Sequence, residues 1–179
     1  MIIVIVLLYA AGIVLLGCGS AILISMQLAR KSAAPFFPSA RSTLALAMRA
    51  AELKPGETFY DLGAGTGTSL LVAEQEFGAR AVGSEINLLP YCVAKVRLFL
   101  RRSRAAMRFQ NLFTQDVRGA DVVFCFLAER VLARVAEKLR RELKPGARIV
   151  SYAFTLPGMA PEKIVPVHGA WKLYLYRIY

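Results

Sequence analysis

Three features of this 179-residue sequence predict an α/β fold, built on a parallel sheet closed by an antiparallel hairpin. Short apolar runs rich in Val, Ile and Phe alternate with segments of helical spacing, the pattern of strands covered on both faces by crossover helices. A glycine-rich turn, "DLGAGTG", directly follows the first of these runs. Near the end the rhythm breaks, and "EKIVPVHGAWKLYLYRIY" reads as two strands joined by a short turn at His168 to Ala170.

The length suits one domain and a short extra segment, with no room for a second catalytic domain. Apolar residues make up 56% of the chain and the mean hydropathy is +0.48, an excess concentrated at the front, since Met1 to Ala29 carries no charged side chain. As a helix, Ile2 to Ala29 would extend about 42 Å, more than the ~30 Å hydrocarbon core, so residues 1–29 are expected to form one transmembrane anchor. A cleaved signal peptide or a lipoprotein signal ending at Cys18 fits less well. No basic residues precede the apolar run, and "AILISM" continues it past Cys18. All 23 Lys and Arg and all 12 Asp and Glu follow the anchor, giving residues 30–179 the whole formal charge of +11. Arg30, Lys31 and Arg41 lie closest to the span, which puts the domain on the cytoplasmic side of the membrane.

The connector "KSAAPFFPSARS" is extended by its prolines, and Ser39 is expected to cap a helix over "ARSTLALAMRAAEL". The pentapeptide "ELKPG" occurs at Glu52 to Gly56 and again at Glu142 to Gly146, each time closing a helix and opening a strand. Strands are expected at Glu57 to Leu62, Arg80 to Ser84, Met107 to Gln110, Asp121 to Phe126 and Gly146 to Phe154, with helices between them. This makes five βα units before the hairpin, seven strands in all. Cys18, Cys92 and Cys125 are odd in number and widely spaced, which suggests neither disulfides nor a zinc site, and no other metal site is expected.

What the glycine turn holds follows from its neighbours. A phosphate-binding P-loop needs a Lys after the last glycine, whereas Thr68 and Ser69 follow Gly67. The dinucleotide fingerprint beginning at Gly63 would need a glycine where Thr68 stands. From Pro55 onward the first basic residue is Arg80, while Asp61, Glu74 and Glu76 flank the turn. A carboxylate two residues before the first glycine repels a pyrophosphate and suits a cation. S-adenosylmethionine is such a ligand, with an α-ammonium, a sulfonium and no phosphate. Glu85 closes the second strand 20 residues after Gly65, where a carboxylate can accept both hydroxyls of a ribose.

The pattern "YDLGAGTG" resembles motif I of the class I, seven-strand methyltransferases, which implies a Rossmann-like sheet and S-adenosyl-L-methionine as cofactor. In that resemblance Asp61 lies near the methionine end, Gly63, Gly65 and Gly67 pass close under the cofactor, and Glu85 holds the ribose. Asn111 in "FQNLF" stands where these enzymes often carry an Asp facing the adenine amino group. With Ala64, Thr66, Ile86 and Leu112 beside them, these residues form the expected cofactor-binding set.

The order of "APFFPSARS", "DLGAGTG", "GSEIN", "NLF", "ADVVFCFL", "LKPGARIVSYAF" and "LPG" is similar to the small membrane-anchored protein-lysine methyltransferases that act on the adenine nucleotide translocase and the ATP synthase c subunit. This resemblance implies a methyl acceptor that is a lysine of a membrane protein. The sequence departs from those relatives at Thr66 and Thr68, where Asp and Arg are often found, at Met159 in place of a Trp, and at Ala153 in place of a polar residue.

Lysine has a pKa near ~10.4, so the site must favour the neutral amine. Aromatic walls can do this by desolvation, and Phe36, Phe37, Phe126, Tyr152 and Phe154 are candidates. No catalytic base is assigned. "LAE" at Leu127 to Glu129 replaces the Asn-Pro-Pro motif of base-amino methyltransferases. Cys125, inside an apolar strand, is expected to be buried, and His168 to lie at the surface. Arg97, Arg101, Arg104 and Arg108 would share a face if the second helix extended that far. Few aromatic residues are interleaved with them, so nucleic acid is not the expected partner. An RNA methyltransferase, motivated by the charge, and a non-catalytic membrane scaffold are the alternatives.

Overall fold

The computed structural model describes residues 39–179 and, before them, Tyr9, Gly12, Ile13, Leu16, Gly17, Gly19 and Ser20. Most of the expected anchor, and the connector with Phe36 and Phe37, lie outside the described residues. Among the described residues no helix is long and apolar enough to cross a membrane.

The elements run α1 (Arg41–Ala50), β1 (Thr58–Leu62), α2 (Thr68–Phe77), β2 (Arg80–Glu85), α3 (Leu88–Leu100), β3 (Ala106–Phe109), β4 (Val122–Cys125), α4 (Glu129–Glu142), β5 (Arg148–Tyr152), β6 (Lys163–His168) and β7 (Trp171–Arg177). The seven strands form one sheet in the order β3-β2-β1-β4-β5-β7-β6. The first five are parallel, and β7 runs antiparallel to both β5 and β6. The chain winds outward from β1 to β3 and then returns to β4 on the other side of β1. The crevice at the carboxyl ends of β1 and β4 is the place where such sheets bind ligands.

Each central strand divides its side chains between two cores. Val122 and Phe124 of β4 join Leu44, Met48, Phe59 and Leu70 under α1 and α2. Val123 and Cys125 join Leu62, Leu132, Val135, Leu139 and Ile149 under α4. This period of two within an unbroken apolar run is why the sequence reads as a strand buried on both faces. Both copies of "ELKPG" follow a helix and precede a strand as expected, and their glycines, Gly56 and Gly146, have φ of 81° and 83°.

Three expectations are corrected. Ser39 does not cap α1; the capping position is Ala40, which makes no side-chain cap bond, and Arg41 is held by Glu76 at 2.7 Å. No helix joins β3 to β4, or β5 to β6, so helices follow only β1, β2 and β4. Between β3 and β4 the polar side chains bind nearby backbone instead: Asn111 Oδ1 accepts the Phe113 amide at 3.0 Å and Asp116 Oδ1 accepts that of Arg118 at 3.0 Å. Such local bonds favour turns over helix. Finally, α3 ends at Leu100, so Arg101 and Arg104 follow it in the loop and Arg108 lies in β3; the four arginines do not share one helical face.

Candidate functional site

The turn after β1 is fixed by β2. The amides of Gly63 and Ala64 both donate to the Ser84 carbonyl, at 3.0 and 2.9 Å, and the Gly67 amide donates to the Ala64 carbonyl at 2.8 Å. One residue further on, Glu85 Oε2 accepts the Gly65 amide at 3.0 Å, while Oε1 accepts the amides of Ile86 and Asn87 at 2.9 and 2.8 Å. Four loop amides are therefore committed within the protein. A phosphate cradle needs amides that point at the ligand, so this geometry argues against a phosphate independently of the charges and the missing Lys in the sequence.

Two glycines are demanded by packing. Gly67 precedes α2 with φ 74°, and a Cβ there would lie 3.2 Å from the Ala94 Cβ of α3. At Gly83 in β2, a Cβ would meet the Ala64 Cβ at 2.7 Å and Leu70 Cδ1 at 2.9 Å. The missing side chain lets the glycine turn lie flat on β2.

Asp61 and Glu85 both end up buried, with 5% and 7% of their surface exposed. Asp61 Oδ2 accepts the hydroxyl of Ser69, in the first turn of α2. Burial pushes the Asp61 carboxyl up to about 7, the Ser69 hydrogen bond opposes the shift, and the charge of Glu85 adds to it. No cation among the described residues pairs with either acid. Asn87 Oδ1 and Ser84 Oγ, on the same stretch as Glu85, are buried without a partner. Two buried carboxyls, one easily ionised by a nearby cation, beside unsatisfied polar atoms fit a nucleoside that carries positive charge.

The other expected site residues divide. Ala64, Gly65 and Gly67 are buried within the turn, and Gly63 is exposed. Thr66 Oγ1 receives a bond from Arg97 at 3.1 Å, and the same guanidinium nitrogen bonds Thr68 Oγ1 at 2.6 Å. Arg97 thus clamps the turn from α3, a role hidden in the sequence by its neighbours in a basic run. Ile86 is half-buried beside Glu85. Asn111 is exposed and its side-chain oxygen serves a local turn. Leu112 is buried in the core under α4.

Of the expected aromatic walls, Phe126 and Tyr152 lie with ring centroids 4.5 Å apart, tilted at 46°. Trp171, which the sequence reading did not select, completes a cluster with them, 5.8 Å from Phe126 and 5.5 Å from Tyr152. It was legible only through topology, because β7 runs back along β5 and sets its first residue beside the carboxyl end of that strand. Phe126 and Tyr152 pack on the α1 and α2 face of the sheet, the face from which α2 brings Ser69 to Asp61. Phe154 is exposed. Cys125 is buried and its thiol is pushed up to about 12, which excludes it as a nucleophile. His168 is exposed at the end of β6. Among the described residues no group of His, Cys, Asp and Glu could hold a metal ion.

Residues 61–163 match the family described as the ANTKMT methyltransferase domain. A protein-lysine N-methyltransferase of Saccharolobus islandicus (strain REY15A) is 31% identical over 150 residues, covering 80% of this chain and 93% of that protein. The adenine nucleotide translocase lysine N-methyltransferase of Mus musculus is 33% identical over 130 residues, covering 70% of this chain and 55% of the mouse protein. Among solved structures, an RNA methyltransferase from Salinibacter ruber in complex with S-adenosyl-L-homocysteine is similar with a TM-score of 0.76 and 27% identity, covering 79% of this chain and 94% of that one.

Proposed function

Because this chain belongs to the family of ANTKMT methyltransferase domains and is an S-adenosylmethionine-dependent methyltransferase, we propose that it methylates a lysine side chain of a membrane-associated protein. The observation that carries the lysine is the cluster of Phe126, Tyr152 and Trp171 at the carboxyl ends of β4 and β5. Aromatic walls disfavour an ammonium that must shed its water, and so favour the neutral amine that transfer requires. Two relatives are named as lysine methyltransferases. The membrane part of the reading rests on the uncharged segment Met1 to Ala29.

When bound, S-adenosylmethionine supplies a methyl group activated by its sulfonium. Beside Phe126, Tyr152 and Trp171 the lysine would be held as the neutral amine, whose lone pair would accept that methyl as the carbon–sulfur bond opened, the proton of the resulting ammonium leaving to water. Asp61, once ionised, would pair with the cofactor's ammonium. Glu85, held by three backbone amides, would keep one lone pair, on Oε2, for a single ribose hydroxyl rather than the two expected from the sequence. Arg97 and Ser84 keep the turn in place. No residue needs to act as a base during transfer, since the work lies in orienting a neutral amine.

Incubating membrane and soluble fractions with isotopically labelled S-adenosylmethionine tests the acceptor. Label on a membrane-protein lysine, lost with Asp61→Ala, is the expected result; label confined to soluble protein or lipid would refute it. A second reading, methylation of RNA, is favoured by the similar structure from Salinibacter ruber and the charge of +11. Label in RNA would establish it.

A further inference from the structure

We propose that the outer face of α3, together with edge strand β3, is a docking surface that seats the catalytic domain on an anionic lipid bilayer. A helix on the outside of an α/β sheet normally shows one apolar stripe to the core and a polar face to water. Helix α3 has two apolar faces. Ala94 and Leu98 point inward and are buried, yet Val96, Leu100 and Phe99 are 59%, 72% and 81% exposed. Leu89, Val93, Val96 and Leu100 recur every three or four residues, which places them in one line along the helix. Val93, Val96 and Leu100 share a shallow open groove with Cys92. Phe109 extends this surface onto β3, half-exposed and 5.2 Å from the ring of Tyr91.

Charge identifies the occupant. The stretch from Leu88 to Phe109 holds six basic residues and no acidic one. Arg97 is turned inward to the glycine loop, but Lys95, Arg101, Arg102, Arg104 and Arg108 are exposed. None of those five forms an ion pair with a described residue. Glu74, which reaches this stretch from α2, is taken by the Ser103 hydroxyl and the Arg104 amide. Exposed aliphatic side chains flanked by free cations are the signature of insertion at the boundary between headgroups and acyl chains. The segment Met1 to Ala29 has no acid with which to answer these charges. RNA would answer them and could stack on Phe99 and Phe109, but it gains nothing from the four aliphatic side chains Leu89, Val93, Val96 and Leu100 that line the helix. Since Asn87, the cap of α3, directly follows the Ile86 amide bound by Glu85, a bilayer under α3 would lie beside the cofactor site.

The inference needs no particular methyl acceptor, and its test does not read methyl transfer. The full chain with Cys18→Ser is placed in nanodiscs of phosphatidylcholine alone, or with roughly a quarter phosphatidylglycerol, and modified with an uncharged polyethylene-glycol maleimide. Cys92 is exposed in the groove and Cys125 is buried, so the rate reports α3. On anionic discs the rate should fall about ten-fold relative to neutral ones. The fall should vanish in Arg101→Glu/Arg102→Glu/Arg104→Glu and also in Val96→Asp/Phe99→Asp, which keeps the lipid charge unchanged. Migration of the chain with anionic discs but not neutral ones supports the same conclusion even without an anchor. Equal rates on both discs, slow modification in detergent and discs alike, protection by RNA in place of lipid, or no association with either disc would each overturn it.

Discussion

Glu85 Oε2 accepts the backbone amide of Gly65 at 3.0 Å, so the second acid of the site also builds the first motif. A carboxylate at the end of β2 thereby sets the shape of the turn after β1, and with its other oxygen it organises the start of α3. Replacing Glu85 with Ala should accordingly do more than weaken cofactor binding. Three amides lose their acceptor, those of Gly65 and Asn87 buried and that of Ile86 partly buried, each costing about 1–3 kcal/mol. Chemical denaturation is expected to give a loss of at least ~3 kcal/mol, with Glu85→Gln intermediate because one oxygen remains.

Cofactor affinity should depend on pH through Asp61. Burial pushes this carboxyl up to about 7, so below that pH it is neutral and above it is an anion, the form that would pair with a bound cofactor's ammonium. Affinity measured by calorimetry should rise by about ten-fold between roughly pH 6 and 8, and Asp61→Asn should flatten the profile. The linkage to stability has the opposite sign. A carboxyl raised from its ordinary value near 3.8 stabilises the free protein at low pH and loses that contribution as pH climbs through 7. The Tm of the free protein should fall over this range while the rise in Tm caused by cofactor grows.

Gly83→Ala places a methyl 2.7 Å from the Ala64 Cβ. Overpacking of this kind costs about 1–3 kcal/mol, and relief comes most easily by lifting the glycine turn. Both the denaturation midpoint and the cofactor affinity should drop, even though residue 83 lies in a buried strand and is not itself in the expected cofactor-binding set.

Trp171→Ala should separate the two substrates. The indole belongs to the aromatic cluster, far along the sheet from Glu85, so cofactor Kd should remain within about two-fold while KM for the acceptor rises about ten-fold. A parallel loss of cofactor affinity would remove Trp171 from the acceptor side.

What the sequence made legible was chiefly period and punctuation. Strands buried on both faces announced themselves as apolar runs, and Asp61 and Glu85 stand at the ends of two of them, so the site's acids could be named. Side-chain competition for backbone was harder to read: Asn111 and Asp116 turn a polar stretch into successive loops where a helix was expected. Trp171 and Arg97 escaped because each acts on a residue distant in the chain, Trp171 through the reversal of β7 and Arg97 by reaching 29 residues back to Thr68.

Arg148, the first residue of β5, binds the Ala51 and Glu52 carbonyls, both at 2.8 Å, and Glu57 at 2.6 Å. Those partners lie 97, 96 and 91 residues earlier in the chain. During synthesis the end of α1 must therefore wait for more than half of the protein to emerge before its carbonyls meet that cation. Central strand β1 waits in the same way for β4. Such distant pairings make folding slow, and a nascent chain in that interval exposes the apolar undersides of α1 and β1.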